Sequence, residues 1–288
     1  MWQLLKRLPV LRDPSHRRFL KQMPVIRQLK RVVRKTRRAY YRRFGHHWLR
    51  RALAASSRKR IVIGAWSRYD SGWIPTQREF LDLLDPAGWE RCFRPNSVDA
   101  ILAEHVWEHV TEADGLAAAR TCFRYLKPGG YLRVAVPDGL LPDPAYIDLV
   151  KADPAGSSPR AHGPDGNSAN HKALYTYRSL RELFERAGFQ VTLYEYFDEA
   201  GMFHCRQWDR EAGTIWRSKR FDPRDRHGTL ASVYPGTLDD YLAYSSIILD
   251  AVKEPAPLPP LPDAANLPAH WSGGRVAEGT GLLNRHRG

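Results

Sequence analysis

Between residues 95 and 138 the apolar positions form two short runs on either side of a helical stripe. Val98 to Ala103 is a short apolar run of strand length. Leu116, Ala119, Phe123 and Leu126 then recur at helical spacing until Lys127-Pro128-Gly129-Gly130 stops the helix. Tyr131 to Val136 is the second run, and the two runs end in the polar pairs Glu104-His105 and Pro137-Asp138. Strand, helix, turn and strand in that order predict a parallel α/β sheet. The carboxyl ends of its strands are where open sheets of this kind place ligands.

The pattern extends in both directions. Arg60 to Gly64 reads as a first strand and its end, Trp73 to Thr76 as a second strand, and Phe80 to Leu84 as a third strand or its remnant. Too few residues separate Gly64 from Trp73 for a three-turn crossover helix. Downstream, a Gly/Pro-rich loop over residues 153–170 is long enough to act as a lid or substrate loop. Thr176 or Ser179 then caps a helix that Gly188 ends, and Glu182 stands three residues after Ser179, the spacing of a capping box. Gln190 to Tyr196 and Tyr244 to Val252 read as the last strands, the final one antiparallel. Residues 198–235, rich in Trp, Arg, Asp and His, interrupt the sheet between them. Such an insertion shapes specificity, and its side chains suit a sugar, a nucleotide or a phosphorylated headgroup. A surface hairpin with a solvated charged face is the plainer alternative.

Charge divides the chain. The net charge of +14 hides an arm, residues 1–60, with 20 Lys and Arg against one acid, Asp13; the remainder holds 25 basic and 30 acidic residues. Three parts are expected: a basic amphipathic arm over 1–58, an α/β domain over 59–253, and a Pro/Gly-rich tail over 254–288 that cannot build a core. In the arm a helix is predicted from Val25 to Ala55, with Ile26, Leu29, Val33, Tyr40, Phe44 and Trp48 near one stripe. Adsorption of residues 25–55 to an anionic membrane surface and packing on the domain weigh equally, with nucleic acid behind them for want of an RNA-binding motif. Charges or Pro break every apolar stretch at the N-terminus, which argues against a signal peptide or membrane span. Cys92, Cys122 and Cys205 show no CxxC spacing, so neither a zinc site nor a disulfide framework is indicated, and a cytoplasmic location fits.

The segments SVDAI, EHVWEHV and RYLKPGGYLRVAVPD, with the later element around Asn170-His171-Lys172 and Ala187-Gly188-Phe189, resemble a class I S-adenosylmethionine-dependent methyltransferase. The likeness spans about residues 60 to 252 and is closest to a compact subgroup in which the first crossover helix is lost. It implies a Rossmann-like, mostly parallel sheet with helices on both faces. The implied cofactor is S-adenosylmethionine, and the implied acceptor is a small molecule, a glycan or a lipid-linked group. Where the family has a GxGxG turn, this chain has Gly64-Ala65-Trp66-Ser67, and the indole of Trp66 would occupy space that glycine leaves open. On this resemblance Gly64, Ala65 and Trp66 contact the cofactor and Gln77 takes the place of the ribose-binding acid, with Glu79 as its substitute. Asp82 matches the acid that accepts from the adenine amine, and its plainer role is a turn or cap. The altered glycine turn also permits a second reading, an inactive methyltransferase-fold scaffold docked at a membrane.

Glu104, a cofactor candidate, and His105 follow the fourth expected strand and face the cleft. His105 is a candidate base, as is His171 at the cleft mouth, for which a loop-anchoring hydrogen bond is the alternative. On a helix, Glu104 would stand beside Glu108 and His105 beside His109. The order is not HExxH and no third ligand is evident, so no metal site is expected. Instead, Glu108 caps or pairs near a helix start and His109 packs under the sheet.

Overall fold

A computed structural model describes residues 24–65, 69–153, 171–220 and 246–255. Helix α1 spans Pro24–Ala55, and strands β1 (Arg60–Ile63) and β2 (Ile74–Pro75) follow. Then come α2 (Pro86–Cys92), β3 (Val98–Glu104), a 3₁₀ turn (Trp107–His109), α3 (Glu112–Tyr125) and β4 (Leu126–Val136). Helices α4 (Pro144–Val150) and α5 (Tyr177–Arg186) lead to β5 (Gln190–Phe197), β6 (Phe203–Cys205) and β7 (Ile247–Val252).

These strands form one sheet in the order β2-β1-β3-β4-β7-β5-β6. The four strands from β2 to β4 are mutually parallel, while β7 runs antiparallel to both β4 and β5. The expected mixed sheet with an antiparallel last strand is therefore present. The edge strand β6, paired antiparallel to β5, adds a hairpin at the far side.

Alternation along the strands separates two cores. Ile61, Ile63, Ile101, Leu132, Val134 and Leu249 pack with Leu49 and Leu53 of α1, Trp89 of α2, Ala119 of α3 and Leu183 of α5. Val62, Ala100, Leu102, Ala135 and Ile248 face the other way and are covered by Trp73, Trp208 and Ile215. So the second half of α1 is part of the domain core, as the packing alternative for the arm required. Tyr41 and Trp48 both meet the ring of Phe80, with centroids 5.6 and 6.1 Å apart.

Two local expectations change. Phe80 to Leu84 forms turns rather than a third strand. Phe80, Leu81 and Leu83 are buried against the core, so the apolar run is real but serves packing without a ladder. The cap of α5 is Thr176, whose hydroxyl accepts from the Ser179 amide at 3.3 Å while Ser179 Oγ accepts from the Thr176 amide at 3.0 Å. The capping box is thus Thr176 with Ser179, because the first residue able to satisfy the helix amides ends the extended chain.

The segment Arg206–Arg220 has few regular hydrogen bonds of its own and is pinned by inward-facing side chains. Arg133 in β4 makes a two-pronged pair with Asp250 in β7, Nε and Nη2 each 2.8 Å from a carboxylate oxygen. These residues are direct cross-strand partners. The same guanidinium donates to the carbonyls of Asp209 and Gly213 at 2.6 and 2.7 Å. Glu195 is fully buried and accepts from Trp208 Nε1 at 2.8 Å and Ser218 Oγ at 2.6 Å. The part of the predicted insertion beyond residue 220 lies outside the described residues, as do the loop 154–170 and the tail from 256.

Candidate active site

Two turns meet at the carboxyl ends of neighbouring parallel strands. Gly64 follows β1 with φ +67°, a left-handed conformation that glycine adopts without penalty. A Cβ placed on it would lie 3.2 Å from Val106 Cγ2, so the turns after β1 and β3 are in contact. The buried Ala65 donates its amide to the Thr76 carbonyl at 3.1 Å, and its own carbonyl accepts from the side-chain amide of Gln77. Gly64, Ala65 and Gln77 therefore form one small assembly. Trp66 lies outside the described residues.

Past Glu104 the chain turns sharply, and His105 has φ +54°. A residue with a side chain held in this region carries strain on the order of 1 kcal/mol or more. The surroundings enforce it: the His105 amide donates to the Ala135 carbonyl at 2.8 Å. The ring is only 8% exposed. Its Nε2 lies 2.9 Å from Ser246 Oγ, and its Nδ1 lies 3.0 Å from Glu108 Oε1. A hydroxyl, an imidazole and a carboxylate thus stand in a row. Burial, reinforced by nearby Arg217, holds the His105 imidazolium well below the usual histidine range, so the ring is neutral at physiological pH.

Because His105 is left-handed, no helix runs from 105 to 109, so the helical spacing of His105 and His109 does not apply. His109 is exposed rather than packed under the sheet. The chain folds a distant residue against it instead. The amides of Lys172 and Ala173 donate to the Glu108 carbonyl at 2.7 and 3.2 Å. His171 is 3% exposed, its Nδ1 is 2.8 Å from the Val150 carbonyl, and its ring centroid is 5.1 Å from that of His109. The loop-anchoring role considered for His171 is present, and the residue stands beside the Glu108 turn. Burial also lowers its proton affinity.

Other expected contacts are directed elsewhere. Glu104 Oε2 and Oε1 accept the amides of Trp216 and Arg217 at 3.2 and 2.8 Å. Asp82 sits in a turn, accepting from Arg78 Nε at 2.9 Å and the Leu84 amide at 3.0 Å, which is its plainer role. Glu79 pairs with Arg38 of α1 at 3.0 Å. Sequence reasoning missed Ser246, which no motif marks, and missed Arg133 and Glu195, which are buried only once the covering segment is in place.

The profile of a methyltransferase domain family matches residues 25–194. The chain belongs to that methyltransferase family. No curated protein matches it. Among solved structures it is similar to a chain in the complex of the Haloferax volcanii Trm112 methyltransferase activator with a methyltransferase, at 15% identity over 76% of this chain and 94% of that one, with a TM-score of 0.36. It is similar also to a Thermotoga maritima S-adenosylmethionine-dependent methyltransferase described as a possible histamine N-methyltransferase, at 13% identity over 78% and 97% of the two chains, TM-score 0.37. A third is phosphoethanolamine N-methyltransferase 2 of Haemonchus contortus bound to S-adenosylmethionine, at 12% identity over 70% and 49%, TM-score 0.34. The cofactor of the family is S-adenosylmethionine. In this methyltransferase the turn after β1 joins Gly64, Ala65 and the side-chain amide of Gln77, which donates to the Ala65 carbonyl. Glu104 accepts one backbone amide on each oxygen, from Trp216 and Arg217, which ties the end of β3 to the covering segment.

Proposed function

We propose that this methyltransferase moves the methyl group of S-adenosylmethionine to an oxygen or nitrogen of a small-molecule, glycan or lipid-linked acceptor. The reading rests on one observation: the Gly64 turn at the end of β1 touches the turn that carries His105, so the glycine turn of the cofactor half adjoins a buried, neutral imidazole. Gly64, Ala65 and Gln77 would hold the cofactor. When bound, it supplies an electrophilic methyl on a sulfonium, which leaves the chain to align the acceptor and remove its proton. Ser246 Oγ receives the acceptor's proton and passes its own to Nε2 of His105, while the Glu108 carboxylate, 3.0 Å from Nδ1, offsets the charge the ring then gains. His171 holds the loop that backs Glu108 and contributes position rather than proton transfer.

Calorimetry tests the first half. S-adenosylmethionine and its demethylated product should each bind one per chain, and Gln77→Ala should weaken both by about 1 kcal/mol, roughly five- to tenfold. Absence of heat and of any thermal shift with either ligand would end the enzymatic reading.

One observation favours a second reading, a scaffold with the methyltransferase fold. The commitment of Glu104 to the segment at Trp216 and Arg217 closes one of the groups expected to meet cofactor. In that reading, α1 docks the domain on an anionic membrane surface. No helix among the described residues is long and apolar enough to cross a membrane.

A further inference from the structure

At the turn between β3 and α3, Glu108 and His171, which only support His105 in the reading above, come together with His109, which that reading does not use. Glu108, His109 and His171 each offer a ligand atom, and these atoms all lie within 4.8 Å of one another. Glu108 is 1% exposed. Its Oε1 faces His105 Nδ1 at 3.0 Å without hydrogen-bond geometry, and Oε2 has no hydrogen-bond partner among the described residues. A buried carboxylate in that condition is costly unless a cation or a donor completes it. The tie from His171 Nδ1 to the Val150 carbonyl, 2.8 Å long, fixes the tautomer and leaves the Nε2 lone pair to bind. His109, adjacent in sequence to Glu108, is exposed and sits at the rim, where an ion would enter.

We propose that Glu108, His109 and His171 form a binding site for a divalent transition-metal ion, with zinc the best match. Two imidazoles and one carboxylate are borderline ligands that suit zinc, whereas magnesium and calcium take all-oxygen shells. The set equals the three protein ligands of open zinc sites, which keep a fourth position for water or substrate. His105 then belongs to the outer shell: its ring orients the Glu108 oxygen that is turned away from the ion. The two backbone bonds from Lys172 and Ala173 to the Glu108 carbonyl explain why a residue more than sixty positions away reaches this turn. The inference uses different ligand atoms from the cofactor reading, and its test needs neither cofactor nor acceptor.

The full chain, freed of metal by chelator, is titrated with zinc chloride in a calorimeter, and its melting temperature is followed with and without zinc. One ion should bind per chain and raise the melting temperature, while magnesium chloride gives no heat. Cobalt chloride should give the visible bands of an ion in a low-coordinate nitrogen and oxygen field. His109→Ala, at an exposed position, should leave the metal-free melting temperature unchanged yet weaken zinc at least about tenfold and remove the cobalt bands. His204→Ala, outside the cluster, should change nothing. Zinc binding of equal strength in wild type and His109→Ala, or no zinc binding at all, overturns the proposal. Failure of cofactor binding would leave these readouts unmoved, so the two proposals fail separately.

Discussion

At the scale of single residues, the site depends on side chains placed where the backbone or the dielectric resists them. His105 is the clearest case, left-handed and buried between Ser246 and Glu108. His105→Gln should lower turnover about a hundredfold or more, the usual worth of a general base, while cofactor affinity stays near wild type. Equal loss of both would mean that the ring only supports the fold. Asp138 offers a second test. It is 1% exposed and accepts the amides of Leu140 and Phe197 at 2.9 and 2.7 Å. Burial raises its carboxyl to about 6, and the two amides offset only part of that. A folded-state value above the unfolded one means the contribution is full below the unfolded value near 4 and is lost as pH rises through about 6. Between roughly pH 4.5 and 7.5, wild type should lose about 2 kcal/mol relative to Asp138→Asn. Urea unfolding of both proteins at the two pH values measures it, and parallel curves would refute it.

At the scale of elements, α1 and the covering segment show how irregular pieces are held. Glycine in the interior of a long helix ordinarily costs about 1 kcal/mol against alanine. Gly45 reverses that preference, because a methyl group there would overlap the Cβ and ring of Phe80. Gly45→Ala should destabilise the protein by about 1–3 kcal/mol, and a gain in stability would show that α1 does not seat on Phe80 as described. The segment around Trp208 and Ile215 replaces the helical cover that a crossover helix would provide over β1 and β3, and Arg133 is its central tie. Arg133→Met leaves Asp250 buried without its cation, at a cost of about 3–5 kcal/mol. Chemical denaturation checks this, and Arg133→Met with Asp250→Leu should recover part of the loss.

At the scale of the whole molecule, charge and aromatic exposure concentrate on one helix. Tyr40, Phe44 and Trp48 are about half exposed along α1, among arginines that face water. If α1 docks on lipid, the protein should co-sediment with phosphatidylserine vesicles at low salt and release as salt rises through physiological strength. Phe44→Ser with Trp48→Ser should weaken that binding several-fold. Sedimentation unchanged by the double variant would end the lipid proposal, and preferential capture of RNA would replace it. The fold was legible because it is written in short-range patterns: apolar runs at Ile61, Ile101 and Val134, and the Gly64 strand end; Lys127-Pro128-Gly129-Gly130, read as a turn, instead opens β4. These signals repeat with the period of the element and need no distant partner. Of the candidate site, the sequence marks only the positions that a strand end announces, Gly64, Gln77 and His105. Which groups actually meet there was decided by tertiary structure. Ser246 reaches His105, His171 reaches Glu108, and Trp216 and Arg217 claim Glu104 across more than a hundred residues. Such contacts depend on chain crossings and on desolvation, and neither leaves a periodic trace in a sequence.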